Sequence, residues 1–148
     1  MGPMVSRWVV SLSVDVTAGD IDAAGRCRPA AVDRWIGMAV EAYLADCRSL
    51  VDDHPGASPV WAVIGDPADP AGLGRVTGVE LLATATEVLP SSFVVAVRIR
   101  PDAAAEARHL DARCSVRLVD EVTGATLPID RAFRDKLIAL EHAARFTG

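Results

Sequence analysis

Apolar and polar residues alternate along the N-terminal segment. Val10, Leu12, Val14 and Val16 face one way and Ser11, Ser13 and Asp15 the other, which predicts a half-buried strand over residues 8–16. After Pro29 the period changes. Val32, Trp35, Ile36, Ala39, Val40, Tyr43 and Leu44 recur at helical spacing and predict a helix from about residue 30 to 48 with a broad apolar face. Asp33, Arg34, Gly37, Glu41 and Arg48 fall on its other side, where Glu41 is expected to pair with a nearby arginine. Pro29 suits the first turn, where its missing N–H costs nothing. Ser58 to Ile64 reads as a short strand, and Gly65 to Gly74, rich in Pro, Gly and Asp, as a loop. Three strands follow, Thr77 to Val88, Ser92 to Arg100 and Leu110 to Asp120, with a short fourth ending near Ile129. Ala103 to Ala107 adds a helical turn between strands. A last helix over 130–145 carries Phe133, Leu137, Leu140 and Ala144 on one side, with Asp130 as its N-cap.

Strand, long helix, a run of strands and a terminal helix make an α+β layout. One helix covers only one face of a sheet of five or six strands. Dimerisation is the economical way to protect the remaining face or edge. The chain of 148 residues is read as one domain spanning 1–148. At this length about 70% of the unfolded surface is buried, enough for a real core.

Composition narrows the function. Hydrophobic residues make up 51% of the chain, yet the apolar runs are short, such as Phe93 to Val97. A membrane-spanning helix needs about 20 apolar residues. The N-terminus shows alternation rather than a long apolar signal region. A net charge of −5 argues against a nucleic-acid partner. Lys136 is the single lysine, so arginine carries nearly all the positive charge. Genome base composition accounts for that bias, although arginine also suits bidentate phosphate recognition. Cys27, Cys47 and Cys114 are widely spaced, with no zinc-type Cys/His cluster, so neither a metal nor another cofactor is expected. Three isolated cysteines point to a reduced, cytoplasmic protein.

The densest chemistry lies between the first strand and the helix, in Gly19-Asp20-Ile21-Asp22-Ala23-Ala24-Gly25. Two carboxylates two residues apart are bracketed by glycines. Turn chemistry alone explains such residues at a strand-to-helix corner. A carboxylate held there can also act as nucleophile or base on a bound carbonyl, with the helix N-terminus lending positive charge to the oxyanion. Cys27 lies beside the turn with no histidine near it in sequence. His54, His109 and His142 read as surface residues. Arg98, Arg100, Arg113 and Arg117 alternate on adjacent strands, as a solvated face or as contacts for phosphates.

The element order and the Gly19-Asp20-x-Asp22-x-x-Gly25 motif resemble the hotdog fold, specifically the 4-hydroxybenzoyl-CoA thioesterase-like family. Arg34-Trp35 falls where that family often has an Arg-Trp pair, and Ser92-Phe93 where a Ser-Phe pair opens a strand. The resemblance runs from about Val10 to Ile129. It implies an antiparallel sheet wrapped around one long central helix, here with an additional C-terminal helix, assembled as a dimer or tetramer. It implies hydrolysis of an acyl-CoA or other acyl thioester, with Asp22 attacking the thioester carbonyl or activating water and Asp20 holding the turn. Gly25, Arg26, Arg28 and Ser92 are then the substrate-binding residues. The chain departs from the family at Arg26, in place of a His, and at Arg28-Pro29, in place of an Asn pair. Pro29 falls at the family's oxyanion donor and has no N–H. Three alternatives follow: the donor shifts by one residue, an arginine side chain replaces it, or the site is inactive. An inactive site leaves a non-catalytic hotdog protein that binds an acyl-CoA-like ligand.

Overall fold

The N-terminal alternation becomes strand β1, Val10–Asp15, whose Val10, Leu12 and Val14 pack against the core while Ser11, Ser13 and Asp15 stay exposed. The computed structural model describes residues 8–47, 54–65, 73, 76–102 and 108–146, with side chains as far as Glu141. Helix α1 is Pro29–Asp46 and buries the stripe expected of it, from Ala31 and Val32 to Tyr43 and Leu44. Cys47 closes the helix by donating its N–H to the Tyr43 and Leu44 carbonyls, and Arg48 lies outside the described residues.

Five more strands follow: β2 (Ala57–Val63), β3 (Gly78–Val88), β4 (Phe93–Pro101), β5 (Leu110–Asp120) and β6 (Thr126–Leu127). They form one antiparallel sheet in the order β1-β3-β4-β5-β2, with β6 also pairing to β5. Although consecutive in sequence, β1 and β2 lie at opposite edges, and α1 crosses the face between them. Register puts like side chains side by side on that face: Leu12 beside Leu81, Leu81 beside Ile99, Val97 beside Ala112, and Val116 beside Trp61. Trp35 and Tyr43 of α1 and Phe93 of β4 are fully buried there. Each such large apolar side chain stabilises the fold by roughly 1.5–3 kcal/mol.

β6 is shorter than expected because Pro128 cannot donate to a ladder, and Ile129 instead donates to the Pro90 carbonyl at 2.8 Å. The second helix, α2 (Arg131–Phe146), starts from the expected cap: Asp130 Oδ1 accepts the Phe133 N–H at 2.8 Å. Phe133 and Leu137 are buried, and Phe133, Phe93 and Tyr43 form a chain of ring contacts at 5.9 and 6.5 Å. α2 therefore closes the end of the sheet where α1 finishes. A bulge between Ala85 and Glu87 bends β3 at this end.

On the face away from α1, Arg98 pairs with Asp111, Arg100 with Glu80 and Arg113 with Glu87. Three of the four strand arginines are thus committed to cross-strand pairs on a charged, exposed surface. Among the described residues β1 and β2 each pair on one side only, leaving two open edges there, the second interrupted by Pro59. No described helix is long and apolar enough to cross a membrane. The helical turn expected at 103–107 and most of the 65–74 loop fall outside the described residues.

Candidate functional site

β1 hands over to a short 3-10 turn, Ala18–Asp20, after Val16 has donated its N–H to the Thr77 carbonyl of the neighbouring segment. Asp20 is the anchor. Its Oδ2 accepts the Thr17 backbone N–H at 2.9 Å and the Thr17 hydroxyl at 3.0 Å, and its Oδ1 accepts Arg34 Nη2 at 2.6 Å. The side chain is only 3% exposed. The Thr17 N–H, then Arg34, hold its carboxyl below the ordinary value despite burial. This is the turn-holding role expected of it.

Asp22 sits in a small closed loop. Its N–H donates to the Arg26 carbonyl, its carbonyl accepts the Gly25 N–H, and Ile21 bridges to Cys27. Gly25 closes the loop at φ +80°, in the left-handed region that suits glycine. Asp22 Oδ1 accepts two backbone donors, Ala24 at 2.8 Å and Arg26 at 3.0 Å. Oδ2 has no hydrogen-bond partner among the described residues. The Arg26 N–H leads the causes that lower the Asp22 pKa, with the Ala24 N–H and the charges of Arg26 and Arg28 adding to it. The group is therefore a carboxylate at neutral pH, with one oxygen committed and the other available. The loop and Val76 line a cavity of about 350 Å³.

Pro29 shapes the first turn of the helix. Arg28 is the N-cap residue and Pro29 the first helical residue. Ala31 and Val32 both donate to the Arg28 carbonyl, at 3.0 and 3.2 Å. Ala30 is thus the first helical residue with an N–H, and that N–H has no partner among the described residues. The first N–H of the helix therefore lies one residue after Pro29.

The other sequence-derived site residues are dispersed. Gly25, Arg26 and Arg28 belong to the Asp22 loop. Arg28 uses its Nε to hold the Ile21 carbonyl at 3.1 Å, and Arg26 is exposed. Ser92 ends the β3–β4 turn, where its carbonyl accepts the Leu89 N–H. It stands at the opposite end of β3 from the loop, roughly 33 Å along the strand. One chain does not bring Ser92 to Asp22. Cys27 is buried, and its thiol is pushed up by that burial and by Asp20 and Asp22, so it is unsuited to attack. Glu41 does not pair with Arg34, which is engaged by Asp20; it accepts the Trp61 indole N–H at 3.0 Å.

Two polar sites escaped the sequence. His54 is half-buried rather than a free surface residue: Nε2 lies 2.7 Å from Asp130 Oδ2, and its ring packs edge-on against Phe133. Glu141 is buried, accepting the Tyr43 hydroxyl (2.5 Å), the Ala85 N–H (2.8 Å) and the Thr84 hydroxyl. One signal was available, because Glu141 continues the Phe133, Leu137 row at four-residue spacing. A cavity of about 470 Å³ adjoins it between α2 and the bulged end of β3. That cavity is the larger, but both oxygens of its buried carboxylate are already engaged by donors of the protein itself. At the smaller one, Asp22 keeps Oδ2 without a hydrogen-bond partner among the described residues.

Solved structures share this architecture. A thioesterase-superfamily protein from Jannaschia sp. CCS1 superposes with a TM-score of 0.67 at 17% identity, covering 93% of this chain and 86% of its own. A mutant 4-hydroxybenzoyl CoA thioesterase complexed with 4-hydroxybenzoyl CoA gives 0.63 at 13% identity, covering 85% and 96%. A 1,4-dihydroxy-2-naphthoyl-CoA thioesterase from Synechocystis gives 0.56 at 16%, covering 89% and 97%. No family model and no curated protein matches the sequence. The fold is the hotdog fold of these thioesterases.

Proposed function

We propose that this hotdog protein hydrolyses acyl thioesters, acyl-CoA above all, with Asp22 as the reacting group. The observation that carries the reading is the state of that side chain. It is ionised, pinned through Oδ1, unbonded at Oδ2, and set on a cavity beside a helix start. Its lowered pKa makes it a weak proton acceptor, which favours nucleophilic attack over general-base catalysis. In this scheme Oδ2 bonds to the thioester carbon. The C–S bond then breaks, with the thiolate taking its electron pair. Water cleaves the resulting anhydride, releasing the acid and restoring the carboxylate. The Ala30 N–H, at the positive end of the α1 dipole, is the oxyanion donor in this scheme. Exposed Arg26 and neighbouring Arg28 supply positive charge for the phosphates of the thiol carrier.

The assembly is a homo-oligomer, dimer or tetramer. The open β1 and β2 edges favour it, and a second copy offers a route by which Ser92 reaches an Asp22 site. Three thiols without a disulfide accord with a cytoplasmic setting. The second reading, a non-catalytic binder of an acyl-CoA-like ligand, is favoured by Pro29, which removes one helix-start donor. An acyl-thioester panel on wild type and Asp22→Ala decides. Hydrolysis abolished in Asp22→Ala, with the oligomer intact by light scattering, supports the scheme. Activity that survives the substitution refutes the role of Asp22. Thermal stabilisation by CoA esters without turnover moves the protein to the second reading.

A further inference from the structure

We infer that Arg34 is a positioning residue for the Asp22 site, acting through Asp20. The inference rests on the proposed hydrolase reading and adds to it a residue that touches neither substrate nor reacting atoms. Arg34 lies on α1, the same rigid element that carries the Ala30 N–H. Its Nη2 reaches across to Oδ1 of Asp20 at 2.6 Å. Asp20 in turn holds both sides of the loop. Its Oδ2 grips Thr17, where the chain leaves β1, and its own carbonyl accepts the Arg28 N–H at 2.8 Å, where the chain enters α1. The Asp22 loop hangs between these two points, closed by the Asp22–Arg26 and Asp22–Gly25 backbone bonds. The Arg34–Asp20 bond is therefore a side-chain tie between the segment bearing the carboxylate and the helix bearing the amide, further into the helix than the Arg28 Nε–Ile21 carbonyl bond at its cap.

The two ends of the pair differ in a telling way. Asp20 is 3% exposed at its side chain and Arg34 is 53% exposed. Burying a carboxylate requires that its oxygens be satisfied, and Thr17 already supplies two donors to one of them. Arg34 satisfies the other. A guanidinium fixes direction as well as charge, because its N–H groups are planar and rigid, whereas an ammonium is a point charge on a flexible stem. The geometry needs the direction: losing it frees the loop to rotate about the Asp20 anchor, moving Asp22 relative to Ala30. Reactive groups misplaced by about 1 Å lose on the order of 100-fold in rate.

The test uses the full chain with Arg34→Met, Arg34→Lys and Asp22→Ala beside wild type, all assayed well below their melting temperatures. The substrate is the acyl-CoA that wild type hydrolyses fastest. The expected result for Arg34→Met is a kcat lower by about 10- to 100-fold with KM changed by less than about threefold, since the lost term is alignment rather than affinity. Arg34→Lys restores part of kcat. Amide hydrogen exchange at Gly25, Arg26 and Arg28 rises by about tenfold in Arg34→Met while the amides of β3 and β4 are unchanged. A fall in melting temperature with kcat and loop exchange both at wild-type values marks a purely structural pair and overturns the inference. So does a rise in KM alone, which marks a substrate contact. If wild type turns over no thioester, the hydrolase reading and the catalytic part of this inference fall together. Unchanged loop exchange overturns the anchoring part whatever the turnover.

Discussion

Replacing Glu141 with alanine tests how α2 is fastened to the sheet. The carboxylate is the acceptor for three donors on two different elements: Tyr43 on α1, and Thr84 and Ala85 on β3. Tyr43 is wholly buried and Ala85 nearly so, so two of those donors lose their partner in poorly solvated positions, while half-buried Thr84 can rotate its hydroxyl. Each stranded donor costs about 1–3 kcal/mol, giving a loss of about 2–6 kcal/mol for Glu141→Ala. That is a large part of the roughly 5–15 kcal/mol that holds a domain folded. With a urea m-value near 2 kcal/mol/M the midpoint falls by about 1–3 M. Glu141→Gln keeps an oxygen for Tyr43 and Ala85 and offers its amide to the Thr84 oxygen, so it costs less than about 1.5 kcal/mol. Tyr43→Phe lies between, and because it shares the network its cost is not additive with that of Glu141→Ala, the two differing from their sum by about 1–2 kcal/mol. Urea unfolding of wild type, the three single variants and the Tyr43→Phe/Glu141→Ala double variant, followed by circular dichroism, supplies the numbers. A Glu141→Ala loss under about 0.5 kcal/mol, or strict additivity with Tyr43→Phe, refutes the network.

Three other outcomes are expected. Gly25→Ala forces a side chain into φ +80° and destabilises the protein by about 1–2 kcal/mol, read as a lower denaturation midpoint with native secondary structure retained; an unchanged midpoint contradicts the loop geometry. The native thiols resist alkylation at about pH 8, because burial raises Cys27 and pushes Cys114 to about 11 and Cys47 to about 12, and all three react once guanidinium unfolds the chain; rapid native labelling of Cys27 argues against its burial. Asp20 has a folded pKa below its ordinary 3.8, so its contribution is complete above that value and is lost as pH falls through the lowered one. The stability gap between wild type and Asp20→Asn is then widest near neutrality and shrinks in acid; a gap independent of pH contradicts the assignment.

Local pattern was enough to read most of the architecture. The period-two run at Val10–Val16 and the helical stripe from Val32 to Leu44 each specify one buried face, and a shift of register would expose it. Asp130 declared the start of α2 by cap chemistry alone. The Gly19-to-Gly25 motif was legible as a turn because glycine and aspartate meet local backbone demands within a few residues. Even the division of labour between its carboxylates was partly visible, since Asp20 does hold the turn. The unforeseen part is that Asp22 also commits one oxygen to the backbone.

The elements, their apolar faces and the turn that carries the carboxylates are thus set by interactions within a few residues. Tertiary structure alone decided which distant groups meet: Arg34 with Asp20, Trp61 with Glu41, His54 with Asp130, and Glu141 with Tyr43 and Thr84. It also placed Ser92 at the far end of β3 from Asp22, and showed that the helix start at Pro29 leaves its first N–H on Ala30. A polar side chain in sequence carries no sign of its partner, because the partner is chosen by how the sheet curls around α1 and by the bulge where α2 docks.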